Sequence, residues 1–252
     1  MDQAQVDEAA AYLAAQRAPD ANLVEAFPDK LRPRSWEDVT AIQLATLGRV
    51  GPIGGWKVGA HDATAEPIGS PLPLSGIVAS PARVPSRFRG AECEIGFRIG
   101  RALPPRAEPY GEADILAAIE SCQATIEIVS ARFHNHPALD KFSMAADLGA
   151  HHGLCVGAPV GSWTPGMFST LGVTMMIDGA IHRHAVGSNP GGTDLIRLLV
   201  WLANAPVVRQ AGGIAAGAVI TTGSWTGLTF VEPGARVAAE FTGFPPVEVE
   251  FP

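Results

Sequence analysis

The run Ala91-Glu-Cys-Glu-Ile-Gly-Phe-Arg-Ile99 decides how this chain is read. It is an otherwise apolar, strand-like stretch that carries two carboxylates, Glu92 and Glu94. Side chains two apart on a strand share a face, so the two acids project together while Cys93 points the other way. Adjacent carboxylates in a partly buried place repel, and one takes a proton unless something positive lies between them. A hard divalent cation resolves that conflict; an exposed polar face avoids it. Val247-Glu-Val-Glu-Phe251 repeats the pattern and reads as an ordinary polar face.

Outward from this run the chain keeps a β character. Short strand-like segments fall between glycine and proline breaks at Gly55–Gly59, Gly76–Ala79, Ala124–Ser130, Leu154–Gly157, Val173–Gly179, Ala218–Gly223, Arg236–Phe241 and Val247–Phe251. Helical segments are few: Ala113–Cys122, and Thr193–Leu202 behind a capping threonine. Residues 1–50 differ. Ala9, Ala10, Leu13 and Ala14 make an apolar stripe, and Ser35 opens a second helix with acidic residues in its first turn. Regular βαβ alternation is absent, which argues against a doubly wound sheet or an eight-stranded βα barrel. The expected fold is α+β, with a helical segment over 1–50 followed over 51–252 by a mixed, mostly antiparallel β-roll.

Composition bounds the function. The 252 residues carry 18 Lys and Arg against 25 Asp and Glu, a net charge of −7, which disfavours a nucleic-acid or anionic-membrane partner. Apolar residues make up 47% of the chain, enough for a sizeable core. No apolar run reaches a membrane span, and Met1-Asp-Gln-Ala-Gln5 lacks a secretory pattern. Cys93, Cys122 and Cys155 are too scattered for a disulfide framework or a thiolate zinc site. The expectation is a soluble, cytoplasmic protein.

Three further features carry chemistry. Glu127 sits between Ile126 and Ile128, an uncomfortable place for a solvated acid, so it is either a core glutamate or a third oxygen ligand for Mg²⁺ or Mn²⁺. Lys57, in Gly54-Gly-Trp-Lys-Val-Gly59, is either a surface lysine or a cation reaching into a cleft. Thr221-Thr-Gly-Ser-Trp-Thr-Gly227 is a small, polar turn whose backbone N–H groups and hydroxyls suit a carboxylate. The histidine pairs His134/His136, His151/His152 and His182/His184 lack any zinc signature, though His151 and His152 can line a pocket. Gly48-Arg-Val-Gly-Pro-Ile-Gly-Gly55 matches no phosphate-binding loop.

Taken in order, these pieces resemble the fumarylacetoacetate hydrolase superfamily, and within it the 2-keto-4-pentenoate hydratase branch, whose members include oxalocrotonate decarboxylases. The matching segments are Gly55-Trp-Lys-Val-Gly59, Ala91–Leu103, Ile126-Glu-Ile-Val-Ser-Ala-Arg-Phe133, Ala146-Asp-Leu-Gly-Ala150, Leu154-Cys-Val-Gly157, Val200-Trp-Leu-Ala-Asn204 and Val219-Ile-Thr-Thr-Gly-Ser224. Ser130 and Leu148 stand where the branch often has Asp and Asn.

The resemblance implies that Glu92, Glu94 and Glu127 hold Mg²⁺ or Mn²⁺, that Lys57 is an acid–base group with a pKa depressed by the cation, and that the protein is a homo-oligomer. It implies a lyase, a hydratase that adds water to a 2-hydroxydienoate or 2-oxo-3-enoate through a metal-stabilised enolate. Gly223, Ser224, Arg132 and Asp147 are the expected contacts to a small 2-oxo acid. Two other activities use the same site. Decarboxylation of a 2-oxo-enedioate needs a further contact for the second carboxylate, from Arg132 or a histidine. Acylpyruvate carbon–carbon hydrolysis needs a pair that activates water, for which His61 and Glu66 are candidates. An inactive, oligomeric ligand-binding homologue is the non-enzymatic alternative.

Overall fold

The computed structural model describes residues 1–18, 21–134 and 139–252. The chain opens with helices α1 (Gln3–Ala15) and α2 (Trp36–Val50), then enters strands β1 (Ile53–Gly59), β2 (Ile68–Pro73), β3 (Ile77–Ala79), β4 (Ala82–Arg83) and β5 (Gly90–Ile99). Helix α3 (Glu112–Ala118) leads into β6 (Ile119–Val129), and α4 (Lys141–Ala146) precedes β7 (His151–Pro159). Next come β8 (Gly172–Ile177), β9 (Ala180–Val186), α5 (Leu195–Asn204) and α6 (Pro206–Gln210). Strands β10 (Val219–Ser224), β11 (Thr229–Phe230), β12 (Arg236–Phe241) and β13 (Val247–Glu250) complete the order.

Among the described residues the strands form two sheets. The larger runs β2-β1-β10-β5-β6-β7-β3, with β11 also on β5; the smaller runs β4-β13-β12-β8-β9. Pairs β1–β10, β3–β7 and β4–β13 are parallel and the others antiparallel. This is the expected α+β architecture, helices followed by a mixed, mostly antiparallel, curled sheet.

Alternation along β5 and β6 sets the layers. Cys93, Ile95, Phe97 and Ile99 of β5 join Cys122, Ala124, Ile126 and Ile128 of β6 in the main core, which also takes in Trp56, Phe168 and the apolar face of α5. The other face of the same two strands carries Glu92, Glu94 and Gly96, beside Gln123, Thr125 and Glu127. One face of the sheet is thus core, and the other is a polar hollow.

The N-terminal helices have a separate cluster. Val6, Ala9, Leu13, Val39 and Ile42 pack with Phe27, Phe133, Ala145 and Ala146. Asp2 caps α1 through Gln5 N–H at 2.8 Å, and Ser35 caps α2 through Asp38 N–H at 3.2 Å.

Three local expectations are corrected. The helix expected to run to Cys122 stops at Ala118, because from Ile119 the chain pairs with β5 as a strand whose Cys122 and Ala124 enter the main core while Ser121 and Gln123 take the other face. Helix α5 is capped by Asp194, whose side chain accepts from Arg197 N–H at 3.1 Å, and not by Thr193. Strand β2 was hidden by Pro71 and Pro73, which a sheet tolerates at its edge, where β2 lies.

Candidate metal centre

Glu92 and Glu127 face each other directly across β5 and β6, and Glu94 lies one pleat further along the same face. One carboxylate oxygen from each of the three lies within 4.8 Å of those of the other two. Among the described residues this is the group of potential ligand atoms that converges. The acids are not idle surface charges: Glu94 and Glu127 are buried and Glu92 is half-buried.

Each buried acid has one oxygen engaged by the protein and one left over. Glu127 Oε1 accepts from Lys57 Nζ at 2.6 Å and faces His151 Nδ1 at 2.9 Å, while Glu127 Oε2 is buried with no hydrogen-bond partner. Glu94 Oε2 accepts from the Thr221 hydroxyl and from Gly223 N–H at 2.9 Å. A bare, buried carboxylate oxygen is costly unless something positive meets it. Three hard oxygen donors at this spacing suit Mg²⁺, Mn²⁺ or Ca²⁺ better than zinc. The residues therefore fit a divalent cation.

The electrostatics follow. Burial, then the neighbouring Glu127, pushes Glu92 up to about 7. Burial, then Glu127 and Glu92, pushes Glu94 up to about 8. Burial also acts to raise Glu127, but Lys57 and His151 outweigh it and hold the group below the ordinary carboxylate range. Burial brings His151 down to about 4, so the ring is neutral and its Nδ1–H donates to Glu127. Without a cation, Lys57 is pulled in two directions. Burial pulls it down, yet Glu127, Glu92 and Glu94 together carry it above its ordinary value, so its ammonium stays charged.

The backbone that delivers these groups is unusual. Leu148, Gly149 and Ala150 all have positive φ, at 54°, 59° and 61°, a left-handed turn that costs energy at the two non-glycine positions. It turns Gly149 O toward Lys57 Nζ at 3.2 Å and starts β7 with His151 against Glu127. The turn is held from behind. Arg132 Nε meets Asp147 Oδ1 at 2.5 Å, its Nη2 donates to Asp147 O and its Nη1 to His151 O, both at 3.0 Å. Arg17 at the end of α1 adds a 3.3 Å bond to His151 O.

The structure thus brings Lys57, Glu92, Glu94 and Glu127 together, and distributes the other expected site residues differently. Gly223 donates to Glu94, at a φ of 92° that favours glycine, and the buried Ser224 hydroxyl lies next to it on the side of Glu92. The turn expected to bind a carboxylate does bind one, the chain's own Glu94. Arg132 and Asp147 are buried against each other, and all three guanidinium nitrogens of Arg132 already donate to the chain. His61 and Glu66 lie exposed in the loop after β1, and His61 pairs with Asp62 at 3.0 Å. His182 and His184 are exposed on β9; His134 is exposed, and His136 lies outside the described residues. Sequence reading missed the roles of Thr125 and Asn189. Asn189 Nδ2 donates to Thr222 O and Gly223 O at 2.9 and 3.1 Å and so fixes the turn.

No protein-family model matches the chain. A curated relative, 4-oxalocrotonate decarboxylase of Pseudomonas putida, is 27% identical over 138 residues, 55% of this chain and 51% of that protein. The chain thus spans about half the length of the curated relative it matches. Among solved structures, 4-oxalocrotonate decarboxylase from Pseudomonas putida G7, complexed with magnesium and adipate, has a TM-score of 0.81 at 20% identity, over 100% of this chain and 99% of that one. Fumarylpyruvate hydrolase from Pseudomonas aeruginosa, in complex with Mn²⁺ and pyruvate, has a TM-score of 0.56 at 13% identity, over 80% and 90%. The fold of this chain is the fold of these fumarylacetoacetate hydrolase superfamily proteins.

Proposed function

We propose that this chain, built on the fold of the fumarylacetoacetate hydrolase superfamily, is a Mg²⁺- or Mn²⁺-dependent enzyme of that superfamily that decarboxylates a 2-oxo-enedioate. The observation that carries the reading is the set of three converging glutamates next to a charged Lys57. The relative and the full-length structural neighbour named as decarboxylases support it, and so does the adipate, a six-carbon dioate, bound by that neighbour.

Glu92, Glu94 and Glu127 would hold the cation. When bound, it supplies a Lewis acid for the negative charge that develops on the 2-oxo oxygen as the carbon–carbon bond breaks. The chain's own residues supply the rest. Lys57 Nζ carries a proton and is fixed by Glu127 Oε1 and Gly149 O, so it can deliver that proton to the carbon left electron-rich by loss of CO₂. Neutral His151 donates to Glu127 and keeps that carboxylate in its ionised form. The main core under β5 and β6 excludes water from the back of the site.

Decarboxylation asks for an electron sink and a proton donor, and both have candidates here. Hydration of a 2-hydroxydienoate, the activity of the branch the sequence resembles, additionally asks for a base to activate water. His61 and Glu66, the pair expected to activate water for acylpyruvate hydrolysis, are exposed and His61 is paired with Asp62, which weakens the hydrolysis reading. Hydration remains the second reading, favoured by the matching segments from Gly55 to Ser224. Among the described residues no helix is long and apolar enough to cross a membrane. Self-association belongs to the same reading: β9 is a sheet edge on which Ile181 and Val186 are exposed.

Incubating the protein with a 2-oxo-hex-3-enedioate, a 2-hydroxypenta-2,4-dienoate and an acylpyruvate, each with and without Mg²⁺, tests the proposal. Magnesium-dependent CO₂ release from the enedioate is expected. Loss of the dienoate without CO₂ release moves the assignment to hydration, cleavage of the acylpyruvate moves it to hydrolysis, and metal binding with no turnover points to a binding protein.

A further inference from the structure

We infer that Thr125 is a positioning residue for the metal centre, acting through Thr221 on Glu94; the inference rests on the metal reading above. Strand β5 lies between β10 and β6. Thr125 of β6 is opposite Glu94, and Thr221 of β10 is opposite Gly96. Two side chains on strands that flank a third are ordinarily kept apart by the residue between them. Here Thr125 Oγ1 and Thr221 Oγ1 lie 3.0 Å apart.

The gap that permits this is Gly96. A Cβ built there would come 2.7 Å from Thr125 Cγ2, closer than real contacts allow. Only without a side chain at 96 can the two threonines meet over β5.

The direction of the chain of hydrogen bonds is fixed. A threonine hydroxyl has one proton, and that of Thr221 goes to Glu94 Oε2. The bond between the threonines must therefore run from Thr125 to Thr221. Thr125 is fully buried, and among the described residues Thr221 is its hydroxyl's partner. Thr125 holds Thr221 in the rotamer that reaches Glu94, and its donation strengthens the Thr221 bond in turn. With Gly223 N–H on the same oxygen, Glu94 Oε2 is saturated and Oε1 is the atom free to ligate. Residues that orient ligands from behind commonly change metal affinity by an order of magnitude or more.

Two substitutions separate this role from packing. Thr125→Val keeps the methyl over Gly96 and removes the donor. Thr125→Ser keeps the donor and removes the methyl. Titration with Mn²⁺ alone, by calorimetry at one pH, reads affinity without any substrate. Thr125→Val is expected to weaken Mn²⁺ binding about tenfold and Thr125→Ser to stay within about twofold of wild type. Equal affinity for Thr125→Val and wild type overturns the inference, and so does a loss in Thr125→Ser as large as that in Thr125→Val. Should Thr125→Val fail to fold, Thr221→Val against Thr221→Ser makes the same comparison one bond closer to Glu94. A wild-type protein that takes up no Mn²⁺ overturns the metal reading itself, before any variant is compared.

Discussion

Lys57 Nζ lies 2.6 Å from Glu127 Oε1, although two strands, β10 and β5, separate β1 from β6 in the sheet. On a flat sheet three strand spacings would hold these backbones roughly 14 Å apart, beyond what a lysine and a glutamate bridge comfortably. The bond exists because the sheet curls, and its polar face is the inside of the curl. Lysine and acid meet where curvature, not sequence proximity, brings them together.

That bond makes Lys57 separable from metal binding. Lys57 touches Glu127 through Oε1, whereas Oε2 is the bare atom. Lys57→Met is expected to lower turnover by about 100-fold or more while Mg²⁺ affinity shifts much less. Steady-state kinetics and calorimetry on the same preparation check it. Unchanged turnover removes Lys57 from the mechanism.

Glu94→Ala is expected to abolish metal binding and activity and leave the fold intact. The side chain faces the hollow, and its alternating neighbours Cys93 and Ile95 hold the strand in the core. Circular dichroism and Mn²⁺ titration decide the matter; full metal occupancy in the variant contradicts the ligand set.

Without metal, stability should fall as pH rises from about 6.5 to 8. Glu92 and Glu94 titrate near 7 and near 8 in the folded chain, well above the ordinary glutamate range that applies unfolded. The folded chain therefore binds more protons than the unfolded chain in that window, which makes unfolding easier with each step up in pH. Below about 6.5 the effect is masked, because buried His151 and half-buried His152 have depressed values and contribute with the opposite sign. Depressed Glu127 contributes only at lower pH, and raised Lys57 only near and above its ordinary range. Saturating Mg²⁺ replaces the protons, so it should stabilise more at pH 8 than at pH 6.5. Melting curves of metal-stripped and metal-loaded protein at the two pH values test this; a metal-free Tm that rises between them counts against it.

The Arg132–Asp147 pair carries a stability prediction. Both side chains are almost fully buried, at 3% and 0% exposure. Asp147→Asn leaves a buried guanidinium without its counter-charge and should cost about 3 kcal/mol of unfolding free energy. Arg132→Leu combined with Asp147→Leu removes both charges and should recover part of the loss. Urea denaturation measures both, and a single-variant cost under about 1 kcal/mol would show that the pair is not what braces the turn.

Much of this was readable from the chain alone, for a definable reason. Glu92 and Glu94 stand two apart in one apolar strand, so their shared face follows from local geometry, whereas Glu127, on another strand, was joined to them only through the family resemblance. The Ser35 cap of α2 was equally local. What escaped is non-local. The Arg132–Asp147 pair, the His151–Glu127 bond and the Thr125–Thr221 contact join residues whose meeting depends on strand order and curl. The left-handed turn at Leu148–Ala150 was invisible because only one of its three residues is a glycine. The start of β6 was misread because Ile119-Glu-Ser-Cys122 continues a helical composition after the helix has ended.

Strand β5 has a hydrophobic side and a ligand side with no neutral face between them. Inserting or deleting a single residue before Glu92 would therefore trade both of this strand's carboxylates for an alanine, cysteine or isoleucine, and unseat the hydrophobic layer at the same moment. Drift in this strand is confined to point replacements, whereas loops such as the one carrying His61 can lengthen or shorten without touching the ion's cradle. New substrate preferences on this scaffold should then arise by remodelling the rim.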